Sequence, residues 1–342
     1  MFFVCTILTS VIRTLLIYLF GGVFGLGSFL GSTASPPQPQ WTLVATGDII
    51  PARSVNYQMT VRNDFLWPIR DIAPLLKSAD ITLINLESPL VKNCPLTNTG
   101  MVFCGDKRFV QALTFAGVDV VNLANNHTVN YGWEGLKETE DVLREIAIQT
   151  TGVTTQGPCA NQSYFCSKKT MKTIRGINIG FVGYTIVGKT VDEEALAADI
   201  AALGTQTDVL VVSFHWGEEY SRFPVGAPDD PRIIGRLAVD SGADVVIGNH
   251  PHWIQGMEYY RGVPIFYALG NTIFDQEWSK ETKEGIITEI RFNGATIENI
   301  IIHPLRISDY GHAQLLDGKD EEDVLSIFQS ASNQLAGTPL EN

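Results

Sequence analysis

Basic residues are scarce in this sequence: 24 lysines and arginines face 37 aspartates and glutamates, a formal net charge of −13 over 342 residues. Binding to DNA or RNA depends on cationic side chains that displace condensed counterions, so a chain of this sign offers no bulk nucleic-acid surface. Long apolar runs are scarce too. Mean hydropathy is only +0.09, which excludes a polytopic membrane protein. No repeat at solenoid spacing appears. What the chain has in quantity is apolar side chain, 45% against 18% charged, too much for wholesale disorder and enough for one large core or two ordinary ones.

The apolar residues are concentrated at the N-terminus. Met1 to Gly47 contains no acid and one base, Arg13, which precedes the uncharged run Thr14 to Leu30. A base, an apolar run and then small residues at Ser32, Thr33 and Ala34 form the layout of a secretory signal or an N-terminal membrane anchor over residues 1–34. A buried core helix fits less well, because no polar face interrupts the run and residues 35–40, Ser-Pro-Pro-Gln-Pro-Gln, are Pro-rich linker. Both surviving readings make the remainder extracytoplasmic, either secreted or held at the membrane by that segment.

Cysteine, with five residues, agrees with export. Cys5 lies in the targeting segment; Cys94 with Cys104 and Cys159 with Cys166 form two close pairs in loop-like stretches. Short loop closure favours these local disulfides over the other connectivities. A four-cysteine zinc site is disfavoured, since neither pair has C-x2-4-C spacing.

From Trp41 onward, short β-branched runs alternate with amphipathic stretches, the pattern of an α/β fold. Strands are expected at 42–46, 81–86, 118–123, 177–182, 209–214, 245–247, 265–269, 286–292 and 297–302. Helices are expected at 69–77, 109–115, 133–148, 193–203 and 231–241. Residues 41–307 read as one main domain, and 308–342 as an appendage, an acidic C-terminal tail with one helix over 324–335.

Ligands of open α/β folds gather beyond the carboxyl ends of strands. Five strands here end in Gly47-Asp48, Asn85-Leu86-Glu87, Asn125-Asn126-His127, His215-Trp216-Gly217 and Gly248-Asn249-His250-Pro251-His252, and four of the six histidines fall in this set. Singly, each has an ordinary reading: Asp caps a turn, His is a satisfied structural group, and Asn126-His127-Thr128 is a glycosylation sequon. Together they bring two carboxylates, carboxamides and imidazoles to one rim, an O/N donor mixture suited to Mn, Fe or Zn. His250 and His252, two apart across one proline, can enter the same site, and a carboxylate has the two oxygens needed to bridge two ions.

These motifs, with Arg53, Ser88-Pro89, Gly132, Glu218-Glu219-Tyr220, Gln255, Leu269-Gly270-Asn271 and Phe274-Asp275-Gln276, resemble in order the capsule synthesis protein CapA family, associated with poly-γ-glutamate synthesis and export. The likeness runs from Trp41 to Gln276. That family is similar to the calcineurin-like metallophosphoesterases. The resemblance therefore implies a metallophosphoesterase-like β-sandwich flanked by helices, in αββα layers, and a centre of two divalent metal ions. It would give Asp48 to one ion and make Glu87 the bridge. Asn126, His215 and His250 would hold the other ion, and His252 would return to the first. His127 stays off the metals and acts on the leaving group or the charged transition state. Arg53 is a candidate for holding an anionic substrate group, beside its ordinary reading as a structural ion pair.

Three positions depart from the metallophosphoesterase pattern. The opening Asp-x-His is Asp48-Ile49-Ile50, the carboxylate usual after Asn-Asn-His is Asn130, and the usual His before His-Pro-His is Asn249. Two functions follow from the resemblance: a metal-dependent hydrolase acting on a phosphoester or cell-surface polymer, or a non-catalytic accessory subunit beside membrane-bound polymer synthetase or export subunits. One motif is a decoy. Gly183-Tyr184-Thr185-Ile186-Val187-Gly188-Lys189-Thr190 matches a Walker A loop. It places Tyr and β-branched residues where phosphate needs small ones, and Asp192, Glu193 and Glu194 put negative charge at the following helix N-terminus.

Overall fold

In the computed structural model, which describes residues 38–157 and 167–338, side-chain alternation along the strands decides the layering. The expected signal or anchor, most of the linker and the Cys159/Cys166 pair lie outside the described residues. Leu43 and Ala45 in the strand Gln40–Ile49, Val209 and Val211 in Val209–His215, and Val245 and Ile247 in Val245–Asn249 all enter one shared core. Their neighbours point the other way: Val44 enters a second core, and Leu210, Val212 and Val246 a third. A strand covered on both faces has no polar side, and these strands read accordingly as continuous apolar runs.

Apart from a two-stranded pair, Leu90–Val91 with Gly105–Asp106, the strands build two stacked sheets. The first has the order His312–Leu315, Thr296–Ser308, Glu284–Asn293, Gln40–Ile49, Ile81–Leu86, Val120–Asn122, Gln149–Thr151, with Asn271–Ile273 added at the carboxyl end of Gln40–Ile49. The second runs Met257–Tyr260, Val263–Phe266, Val245–Asn249, Val209–His215, Ile177–Thr185, Thr170–Ile174. Helices Ser54–Arg62, Ala73–Ser78, Val110–Phe115 and Gly132–Glu145 supply Val55, Met59, Leu76, Leu113, Leu136 and Leu143 to the outer core of the first sheet. Glu193–Gly204 and Pro231–Asp240 cover the second with Leu196, Ile200, Leu203, Ile234 and Ala238. These are the αββα layers that the resemblance implies. No helix among the described residues is long and apolar enough to cross a membrane.

Several of the surplus acids are structural. Asp80, Asp119, Asp208 and Asp244 sit just before strands and accept the backbone N–H of Thr42, Thr82, Asn178 and Leu210 at 2.7–3.0 Å, satisfying donors at the amino edge of each sheet. Asp192 accepts from the Ala195 N–H at 3.0 Å, so the helix start after the Walker-like loop is capped by the chain itself. Cys94 and Cys104 form the expected disulfide, with Cα atoms 5.7 Å apart.

Several elements differ from the sequence reading, which also leaves the strands Gln149–Thr151, Thr170–Ile174 and Met257–Tyr260 unmarked. The expected strand 265–269 is divided: it leaves the second sheet after Phe266 and re-enters the first at Asn271, turning through Gly270 at φ +73°. The polar helix Ser54–Arg62, unmarked by apolar periodicity, is buried through Val55, Asn56 and Met59. The C-terminal segment is no appendage. His312–Leu315 extends the first sheet, and the helix Gly318–Gly337 inserts Val324 and Phe328 into the inter-sheet core and Leu335 into the outer one. Its acidic first turn faces Arg306, which pairs with Asp320 at 3.0 Å, so the run that reads as a tail is the solvent side of a packed helix.

Candidate metal centre

Strand register brings the polar residues level. In the first sheet Asp48 lies opposite Asn85, and Asn85 opposite Asn122; in the second, Asn249 lies opposite His215. Parallel strands put all these carboxyl ends at one edge of the sandwich. The approach is close: a Cβ on Gly47 would lie 2.0 Å from the Gly270 carbonyl, and one on Gly248 would lie 2.0 Å from that of Tyr267. Backbone strain collects at the same edge, with positive φ at Arg53, Tyr220, His250 and His252.

A ladder of carboxamides orients the carboxylates. Asn125 Nδ2 donates to the Leu86 carbonyl at 2.9 Å and to Asn85 Oδ1 at 3.3 Å, which turns Asn85 Nδ2 toward Asp48 Oδ1 at 2.8 Å. Asn271 Nδ2 donates to the Thr282 carbonyl at 2.9 Å, so its oxygen faces His252 Nδ1 at 2.9 Å and makes that nitrogen the protonated one. His252 Nε2 is thereby left as a donor atom for a cation, the usual outer-shell arrangement around a metal-binding imidazole. His252 Nδ1 also lies 3.2 Å from Asp48 Oδ2. His215 Nε2 is 2.9 Å from Asn126 Oδ1 and 3.3 Å from Glu87 Oε1, and the His215 and His250 rings are 4.7 Å apart.

Apart from the half-buried Asn126 these groups are buried, and the charges respond. Burial pulls the Asp48 carboxyl upward, but His252, then His215, with the Asn85 amide, hold it below its ordinary value. Burial and the Asp48 charge push Glu87 well above the carboxylate range. Burial lowers His215 to about 3 and His250 well below its usual value. His252 goes the other way: burial opposes it, yet the Glu87 and Asp48 carboxylates raise it to about 9. Raised proton affinity at Glu87 and His252 is the response of donors that exchange protons for a cation.

The residues fit a metal. Both Glu87 oxygens and His250 Nδ1 are buried without a hydrogen-bond partner, a state that costs about 1–3 kcal/mol per group unless something binds there. Ligand atoms of Asp48, Glu87 and His215 lie within 4.8 Å of one another, as do those of Glu87, His250 and His252. Glu87 belongs to both groups. The Asp48–His252 and Asn126–His215 contacts match the partition that the resemblance implies, whereas the two triads join His215 to Asp48 and His250 to His252. The donors therefore form one continuous cluster around Glu87.

A cavity of about 370 Å³ opens beside this cluster, with His127 and His252 among its walls. Asn130 Oδ1 accepts the Phe103 N–H at 2.7 Å, so the same oxygen, 2.8 Å from His127 Nδ1, requires a proton on that nitrogen. His127 Nε2 is the free atom, in a ring packed 4.2 Å from Phe103, and burial lowers its pKa to about 4. Arg53 also lines the cavity. Its Nε donates to Asp275 Oδ1 at 3.0 Å, its Nη2 bonds the same oxygen, and its Nη1 donates to the Gly100 carbonyl at 3.2 Å. The ion-pair reading of Arg53 is thus realised at the cavity wall. Asn85, Asn130, Asn271 and Asp275 stood in or beside the sequence motifs without a role. Only their partners, in Asp275's case 222 residues away, identify what they do.

Fold and centre together define an αββα sandwich protein with a carboxylate–imidazole cluster at the strand ends. The model of the bacterial capsule synthesis protein family PGA_cap matches residues 42–276, and the chain belongs to that family. It is 30% identical to the capsule biosynthesis protein CapA of Bacillus anthracis over 294 residues, 78% of this chain and 68% of that protein. It is 30% identical to the PGA biosynthesis protein CapA of Bacillus subtilis (strain 168) over 256 residues, 70% of this chain and 65% of that one. The chain thus spans about two thirds of the length of these relatives. A solved structure of a hypothetical protein from Thermus thermophilus superposes with a TM-score of 0.50 at 16% identity, over 78% of this chain and 99% of that one, a likeness of fold alone.

Proposed function

We propose that this chain is an exported, metal-dependent hydrolase that works in the synthesis of a capsule-type cell-surface polymer, beside membrane-bound synthetase or export subunits. The relatives' names, capsule and PGA biosynthesis proteins, support the process. The observation that carries the chemistry is Glu87, whose two buried oxygens have no hydrogen-bond partner and belong to both candidate ligand groups. In this reading Asp48, Glu87, Asn126, His215, His250 and His252 hold two divalent ions of Mn, Fe or Zn. Such ions supply Lewis acidity toward a phosphoryl or acyl oxygen.

The chain's own residues do the rest. The carboxamide ladder orients Asp48, and His252 and His215 keep it ionised. Phe103 and Asn130 fix the His127 ring, whose Nε2 presents a lone pair at neutral pH and accepts a hydrogen bond or proton from a hydroxyl or water in the cavity. With its pKa near 4, His127 becomes a proton donor only under acid conditions. The test is metal content of the purified full chain, with hydrolysis of bis(p-nitrophenyl) phosphate and of poly-γ-glutamate. Metal together with turnover supports the proposal; metal without turnover on either substrate overturns catalysis. A scaffold role is the second reading. It is favoured by the Arg53–Asp275 pair, which neutralises the one guanidinium at the cavity, and by Asn130 in place of a carboxylate.

A further inference from the structure

The cavity beside the centre has a charge pattern that the proposed chemistry does not use. Among its lining residues the guanidinium is that of Arg53, and Asp275 occupies it: one oxygen takes Nε and Nη2, while the other accepts the Ser54 N–H at 2.9 Å. That pair is neutral. Glu219 also lines the cavity, and its partner among the described residues is the Tyr220 hydroxyl, which is uncharged. Gln276 Nε2 donates to the Tyr220 oxygen at 2.9 Å, leaving the phenolic proton for Glu219. No lysine or arginine among the described residues forms an ion pair with Glu219. The cavity therefore carries one carboxylate without a lysine or arginine partner.

Aromatic rings line the same cavity as that carboxylate. Trp278 packs edge-on against Tyr220 with ring centroids 4.8 Å apart, and the cavity is bordered by Tyr310 as well. Trp278 is 59% exposed and Tyr310 47%, unusual for large rings with nothing to cover them. A carboxylate beside electron-rich ring faces is the recognition chemistry of an ammonium group, held by charge and by cation–π attraction. An anionic group beside the rings would instead meet the Glu219 charge with no lysine or arginine paired to it.

We infer that Glu219, with Tyr220 and Trp278, forms an ammonium-binding subsite that selects substrates carrying a protonated amine close to the bond at the metal centre. The inference rests on the metal centre proposed above and names the substrate class for it. The sequence motif His215 to Tyr220 delivers both halves: its first residue enters the cluster and its last two build the subsite.

The test uses two probes of equal length, 2-aminoethylphosphonate and propylphosphonate, which differ in an ammonium against a methyl group. Their affinities are measured by titration calorimetry on the full chain loaded with Mn(II). The wild type binds the amine about tenfold tighter, the size of one charge-assisted contact with a cation–π term. Glu219→Gln brings the two affinities to within about twofold with Mn content unchanged, and Trp278→Ala reduces the preference by about threefold. Equal affinity of the wild type for both phosphonates, or a preference that survives Glu219→Gln, overturns the subsite while leaving the metal centre standing. A chain that retains no Mn and binds neither phosphonate overturns the centre, and the subsite with it.

Discussion

Glu87 is the residue whose replacement separates a metal ligand from a structural acid. Its carboxylate is fully buried and neither oxygen has a hydrogen-bond partner. Gln keeps a polar head at this site but carries no charge, so Glu87→Gln, which relieves charge burial and the repulsion from Asp48 at nearly constant volume, should stabilise the chelator-treated protein by about 1–3 kcal/mol. For a domain of this size that is a rise in Tm of about 2–5 °C. With Mn(II) at about a thousand times its Kd, the wild type should gain about 4.1 kcal/mol, because the ion binds only the folded state, and the variant should gain little. The order of stability therefore reverses: variant above wild type in chelator, wild type above variant in Mn(II). The pH dependence has a definite sign. The folded-state pKa of Glu87 lies above its ordinary 4.5, so the penalty is absent below that value and grows as pH rises from there, widening the variant's advantage in chelator. Thermal denaturation of both proteins, with chelator and with Mn(II), at pH 4 and pH 7, is the assay. A variant less stable than wild type in chelator, or equally stabilised by Mn(II), would refute the reasoning.

Other expectations are simpler. His250→Ala should lower the Mn retained after purification, whereas His127→Ala should keep the metal and lose about 10²-fold in turnover; equal metal loss in both would place His127 among the ligands. Gly47→Ala should cost about 1–3 kcal/mol or more, since its Cβ would lie 2.0 Å from the Gly270 carbonyl, and it should lower metal content by displacing Asp48. Unchanged Tm and metal content would show that the strand can shift. Peptide mapping under non-reducing conditions should recover Cys94 with Cys104 and Cys159 with Cys166; a free Cys159 or Cys166 would remove the second staple.

Sequence by itself determined the α/β alternation and the rim, while the two-sheet layering was an expectation of the family resemblance. Runs such as Val209–His215 are apolar because both faces of each strand are covered, and the change from apolar to Asp, Asn or His marks the point where a strand leaves the core. Those are local properties, written within a few residues. The polar helix Ser54–Arg62 escaped this reading because it buries few apolar side chains, and the C-terminal helix looked like a tail because its acidic turn outweighs Val324 and Phe328 in composition. The roles of the polar residues were decided only by tertiary structure. Asn130 sets the His127 tautomer because the Phe103 N–H turns its amide. Arg53 loses its free charge to Asp275, 222 residues away. Asp48 stays ionised because His252, Asn85 and His215 arrive from three other strand ends. Hydrogen-bond direction and charge depend on which groups meet in the low-dielectric interior, and that is settled by strand register and sheet stacking.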